Sequence, residues 1–128
     1  MLDDRTVNSP PSQEFVGSLV WTREANRVGW RSFLGQEPGT DKVDARGVPA
    51  RVEDVQGLPP AWIGVGSIDL FASENMQYAK RLMDAGIATE LNIVPGAFHG
   101  FDNAASDTPL AKKFGASKVD ALRRALGA

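Results

Sequence analysis

The 128-residue chain has no cysteine, one histidine and one tyrosine. Without cysteine there is no disulfide framework, no thiol nucleophile and no thiolate metal site. The redox compartment is left open by that absence. A single histidine among scattered acids gives no ligand cluster with usable metal spacing. Net charge is also scarce. Fourteen basic side chains face sixteen acidic ones, for a formal charge of −2. That balance gives no electrostatic case for nucleic acid or for an anionic membrane surface. No run of about 18 apolar residues offers a membrane span. The chain opens on Asp3-Asp4-Arg5 rather than a basic and then apolar leader, so a cytoplasmic protein is the expectation. Internal repeats and low-complexity tracts are missing too. Gly64-Val65-Gly66 lacks the third glycine, and the helix opening on it, that dinucleotide binding would need.

What is present is ordinary for a globular chain, at 42% apolar and 23% charged. The length allows one domain at most, over residues 1–128. Residues 1–57 read as loop and helix, and residues 58–128 as a β-α-β-α unit. The most informative stretch runs from Leu58 to Asp102. Ala61-Trp62-Ile63-Gly64-Val65-Gly66 is short and mostly apolar, and Pro59-Pro60 stops a helix from entering it. Asp69 follows at once. Ser73 is the expected N-cap of the next element, and Glu74 suits a helix N-terminus. Met76, Ala79, Leu82, Met83 and Gly86 recur at three- and four-residue spacing as one helical face, with Gly86 a natural stop. Leu91, Ile93 and Val94 form a second strand, closed by Pro95-Gly96.

A strand, a helix and a strand of these lengths make a parallel βαβ unit. Both strands then point the same way, and their following loops open on one edge of the sheet. Open α/β sheets do their chemistry at that edge. Asp69 and the sole histidine, His99, are therefore expected on adjacent loops of one rim.

Gly66-Ser67-Ile68-Asp69-Leu70 and Pro95-Gly96-Ala97-Phe98-His99-Gly100-Phe101 resemble the acid and histidine motifs of the α/β-hydrolases. More narrowly, they resemble the hormone-sensitive-lipase-like group, the bacterial family IV esterases. The resemblance extends to Tyr78-Ala79-Lys80-Arg81-Leu82, Leu58-Pro59-Pro60, Met1-Leu2-Asp3-Asp4-Arg5-Thr6 and Asn26-Arg27-Val28-Gly29-Trp30. A three-residue His-Gly-Phe is weak alone. At a strand end, with a strand-terminal Asp one βαβ unit earlier, it is strong. The resemblance implies a partial α/β-hydrolase fold: a short parallel sheet flanked by helices, with an irregular N-terminal segment. It also implies a Ser-His-Asp triad with Asp69 as the acid and His99 as the base, short-chain acyl esters as substrates and no cofactor.

The family's Gly-x-Ser-x-Gly nucleophile elbow and His-Gly-Gly oxyanion loop belong upstream of the acid. Neither occurs here. Gly115-Ala116-Ser117-Lys118-Val119 lacks the second glycine and falls on an expected helix. The chain thus reads as the C-terminal part of an esterase, contributing two triad members. The rival reading is a non-catalytic truncated module that folds or oligomerises without activity of its own. Ser67 is a poor replacement nucleophile, since no glycine elbow presents it and no oxyanion donors can be named. The resemblance further implies a homo-oligomer formed through the Glu90–Val94 strand edge. The missing N-terminal part of the enzyme is a second candidate partner.

The flanking regions read more blandly. Asp3-Asp4 and Asn8-Ser9-Pro10-Pro11-Ser12 are turn chemistry, with the acids tied to Arg5 or to backbone amides. Thr22 or Arg23 opens a helix over residues 23–34 that Gly35 ends. Val28, Trp30, Phe33 and Leu34 form its apolar stripe, and Trp21 and Trp30 read as core ahead of pocket wall. Gln36 to Gln56 is a long polar connector, with at most one helical turn near Val52–Val55. A connector of that length is usually functional or packed on a neighbour. Thr108 or Asp107 caps a last helix with Pro109 at its first position. Leu110, Phe114, Val119, Leu122 and Leu126 are its apolar residues, and Lys112, Lys113, Lys118, Arg123 and Arg124 read as a solvated basic face.

Overall fold

A computed structural model describes residues 1–10 and 15–127; Pro11 and Ser12 of the N-terminal turn lie outside the described residues. Among the described residues four α-helices and two strands follow in the order α1 (Arg23–Leu34), β1 (Ala61–Gly66), α2 (Ala72–Asp84), β2 (Thr89–Val94), α3 (Phe101–Ala104) and α4 (Pro109–Leu126). Strands β1 and β2 pair in parallel, from Ala61 opposite Thr89 to Gly66 opposite Val94. This is the expected βαβ unit, and both strand C-termini end at the same rim.

The alternation of the strands assigns a helix to each face of the sheet. Ala61 and Ile63 pack on the cluster of Val55, Leu82 and Ile87, on the α2 side. Trp62 and Val94 turn the other way and pack with Phe101, Ala111 and Phe114 beneath α4. On that same side Asn92 donates to the Ser117 hydroxyl, on the Gly115–Val119 stretch of α4. A third cluster joins Val7, Trp30, Val43 and Val48, away from the sheet.

Local chemistry sets the helix ends. The Thr22 hydroxyl accepts from Ala25 N–H, and Gly35 closes α1 at φ 66°. Thr108 accepts from Ala111 N–H with Pro109 in the first turn of α4. After α2, Ile87 N–H reaches Leu82 O and Gly86 N–H reaches Met83 O, while Leu82 and Ile87 pack together. That is a Schellman ending, and Gly86 supplies its left-handed residue at φ 78°.

Three details differ from the sequence expectation. Ser73 does not cap α2. The helix begins at Ala72, because Phe71 N–H is taken by the Asp69 carboxylate and Ala72 N–H by the Asp69 carbonyl. The connector's helical turns fall at Ala45–Gly47 and Pro49–Arg51, not at Val52–Val55. The carbonyls of that stretch are drawn elsewhere: Arg81 of α2 donates to Val52 O and to Glu53 O. Several apolar helix residues stay exposed, namely Val28, Phe33, Met76, Met83, Leu110, Val119, Leu122 and Leu126. The buried faces are carried instead by Trp30 in α1, Ala79 and Leu82 in α2, and Ala111 and Phe114 in α4.

The N-terminal acids are structural. Asp3 caps a short 3-10 turn and pairs with Arg5. Asp4 is fully buried, accepts from Gly39 N–H at 2.6 Å, and takes a two-point hydrogen bond from Arg51. Burial alone would raise the Asp4 carboxyl. The Arg51 and Gly39 hydrogen bonds, with the charges of Arg51 and Arg5, outweigh it and hold the group below its ordinary 3.8.

Candidate active site

The rim at the C-terminal ends of β1 and β2 is built from two tight loops. After β1 the chain turns at Gly66, and Asp69 N–H bonds back to Gly66 O. After β2, Pro95 and Gly96 occupy the centre of a turn closed by Ala97 N–H to Val94 O, with Gly96 at φ 70°. Proline followed by a left-handed residue suits a type II turn. Gly100, at φ 67°, then swings the chain into α3 directly after His99.

The two loops lie against each other. Ser67 N–H donates to Val94 O at 2.9 Å, Ile68 N–H to Ala97 O at 3.1 Å, and Gly96 N–H to Ser67 Oγ at 2.8 Å. Their approach requires a glycine at position 66, since a Cβ there would sit 2.1 Å from the Ala97 carbonyl oxygen.

This joint brings together the two side chains singled out in the sequence. His99 Nδ1 lies 3.0 Å from Asp69 Oδ2. The other Asp69 oxygen accepts from Phe71 N–H at 2.9 Å. Asp69 is therefore both the turn residue that starts α2 and the partner of His99. Its side chain is 8% exposed, against 34% for His99. A buried carboxylate fixes the ring, and the ring reaches a surface where a reactant could meet it. A hollow of about 280 Å³ opens here, lined by Gly64, Asp69, Phe98, His99 and Gly100 among others.

Two aromatic rings bracket the imidazole: Phe71 edge-on at 5.3 Å and Trp21 tilted at 5.7 Å between centroids. Trp21 thus lines the site and only Trp30 is core, which divides the pair that the sequence had grouped together. Trp21 is delivered by a tight turn in which its N–H bonds to Leu19 O across Val20, at φ 62°. A β-branched residue in the left-handed region is strained, and such strain concentrates around functional sites. Phe71 carried no sequence signal beyond its neighbourhood to Asp69.

Ser67 spends its oxygen on the Gly96 amide, and Ser73 takes a side-chain bond from Gln77 within α2. Glu74, expected only as an N-terminal helix acid, is buried and accepts from Leu2 N–H at 2.6 Å and from the Thr6 hydroxyl. Burial pushes its carboxyl above 4.5, against the pull of those hydrogen bonds. No group of three or more His, Asp or Glu that could hold a metal occurs among the described residues.

Residues 1–103 match a family model described as the alpha/beta hydrolase fold. Over 95 residues, 71% of this chain and 30% of the relative, the chain is 36% identical to carboxylesterase NlhH of Mycobacterium tuberculosis. It is 37% identical over 68 residues to carboxylic ester hydrolase LipN of the same organism, covering 53% of this chain and 18% of LipN. The chain thus spans about a third or less of the curated relatives' length. Among solved structures, esterase LipW from Mycobacterium marinum superposes with a TM-score of 0.85 at 34% identity, over 98% of this chain and 38% of that one. A bacterial heroin esterase gives 0.82 at 29%, over 97% and 39%. The match over most of its length, the parallel βαβ rim and the two loop motifs agree: the chain belongs to the α/β-hydrolase fold family, on its hormone-sensitive-lipase-like esterase side.

Proposed function

We propose that this chain carries the acid and base of a Ser-His-Asp carboxylic-ester hydrolase, with Asp69 orienting His99. The observation that carries the reading is the 3.0 Å contact between His99 Nδ1 and the buried Asp69 carboxylate. That contact favours the tautomer with the proton on Nδ1 and leaves Nε2 as the free base. A serine supplied from outside this chain attacks the ester carbonyl as Nε2 takes its proton. The Asp69 charge stabilises the imidazolium, which then protonates the leaving alcohol. Water repeats the sequence on the acyl-enzyme. Every proton passes through Nε2, so the chemistry needs no metal or cofactor. Similarity to carboxylesterases supports carboxylic esters as the substrate class, and the family resemblance of the motifs adds the expectation of short acyl chains.

A second reading has its own support. No Gly-x-Ser-x-Gly elbow occurs in the sequence, so the chain alone is an incomplete site. On that reading it acts as a module that associates, with further copies through the Glu90–Val94 edge or with a polypeptide supplying the elbow.

Hydrolysis of a short-chain p-nitrophenyl ester separates the two. The purified chain should be silent alone and gain activity when mixed with the elbow-bearing upstream part of a close relative. His99→Ala should abolish that gain. Complemented activity indifferent to His99→Ala would overturn the dyad assignment. Activity of the chain alone that disappears with His99 would reveal a nucleophile within it.

A further inference from the structure

We propose that the Ser67 hydroxyl is a positioning group that holds the histidine loop in register with the acid, an inference that rests on reading Asp69 and His99 as a dyad. The β ladder ends at the pair Gly66–Val94, so beyond it the two loops have no strand register to align them. Besides the His99–Asp69 contact itself, three hydrogen bonds join the loops there. The first, from Ser67 N–H to Val94 O, is the last rung of the ladder, and the second, from Ile68 N–H to Ala97 O, also links backbone groups. The third, from Gly96 N–H to Ser67 Oγ at 2.8 Å, is made by the Ser67 side chain.

The position of that third bond matters. Gly96 is the left-handed residue of the turn that leads into His99, and its N–H is not the one that closes the turn. Without an acceptor from the acid loop, the Gly96 amide would point to water and the turn could rock about Pro95. His99 lies three residues further along a chain otherwise steered by glycines at positions 96 and 100. A small rotation there moves Nδ1 away from Asp69, which cannot follow because its second oxygen is bound to Phe71 N–H. Ser67 is exposed, so water can compete for this bond and its removal should loosen the joint without unfolding it. Ser67 would then serve the chemistry without meeting the substrate.

The chain offers a direct test because His99 is its sole histidine, and its ring nitrogens can be read by ¹⁵N NMR without ambiguity. In alkaline solution the ¹⁵N shifts separate the Nδ1–H from the Nε2–H tautomer. The unmodified chain should favour Nδ1–H, and Asp69→Asn should remove that preference. Ser67→Ala should weaken it and speed Gly96 amide exchange on the order of fivefold, the factor expected for one modest hydrogen bond. Ser67→Thr, which keeps the hydroxyl, should restore both. Amides of the Leu82–Ile87 ending of α2 should be unaffected in all three variants, which separates loosening from unfolding. If Asp69→Asn shifts the tautomer and Ser67→Ala leaves it as in the unmodified chain, the positioning role is refuted and the dyad stands. If Asp69→Asn also leaves it unchanged, both readings fall together.

Discussion

At the scale of single residues, a buried charge outside the rim is costly to disturb. Asp4 has no exposed surface, and its two oxygens are shared between Arg51 and Gly39 N–H. Arg51 in turn holds Thr40 O, so one carboxylate gathers the connector onto the N-terminal segment. Removing one partner of a buried pair strands the other. Asp4→Ala is therefore expected to destabilise the chain by about 3 kcal/mol, measured by urea unfolding at neutral pH. The pH dependence has a definite sign. The folded carboxyl sits below its ordinary 3.8, so the unfolded chain binds the proton more readily. The stabilisation is complete above about 3.8 and is lost as pH falls through the lower folded value. Glu74 runs the opposite way. Its folded carboxyl is raised above 4.5, so its ionisation weakens the fold as pH climbs through that raised value. Stability measured against pH should lose its steep acid limb in Asp4→Ala. An unchanged limb would assign acid unfolding to other carboxyls.

At the scale of elements, the rim depends on how closely two loops can approach. Gly66 ends β1 with the Ala97 carbonyl packed where a side chain would begin. Gly66→Ala must push the acid loop and the histidine loop apart. It should cost about 1–3 kcal/mol, the usual penalty for overpacking, and disrupt the His99–Asp69 contact as read by the ring ¹⁵N shifts. A variant with native stability and native shifts would mean that the loops can move without separating the pair. The same elements show what a sequence can and cannot disclose. Caps were legible at Thr22, Gly35, Gly86 and Thr108, because each is decided within a turn of chain. The meeting of Asp69 and His99 on one rim was legible because each lies in the loop after a strand and both strands run the same way. The inward helix faces were only half legible. Three- and four-residue spacing marks apolar stripes, but which side turns inward depends on what α1, α2 and α4 meet. Ser73 lost its capping role to Asp69, a competition that spacing alone does not decide. The Asp4–Arg51 pair and the Ser67–Gly96 bond join distant stretches of chain, and no local pattern announces either one.

At the scale of the whole molecule, the described residues leave a sheet with two open edges and much apolar surface. Strand β1 pairs only with β2, so each strand has one side without a ladder partner among those residues. Unpaired edges recruit further strands unless charge, proline or a covering helix blunts them. The β2 edge is weakly defended. Glu90 stands at its beginning, but its charge is paired with Arg124 of α4, and Ile93 near its end is 39% exposed. On the face opposite Ile93, α4 presents Val119, Leu122 and Leu126 to solvent, a run of exposed apolar side chains on one element. The basic residues of α4 interrupt that surface only in part, because Lys118 and Arg124 are tied to Asp102 and Glu90. Edge and helix together favour a second copy laid along β2. Sedimentation velocity at micromolar concentration should therefore find dimers or larger species. Ile93→Lys places a charge on the edge without touching Asp69, His99 or the loops that join them, and should shift the distribution toward monomer. Association that survives Ile93→Lys but yields to Leu122→Lys would move the interface from the strand edge to α4. A clean monomer of the unmodified chain would remove self-association from its properties and leave the β2 edge and the α4 surface without a role in pairing copies.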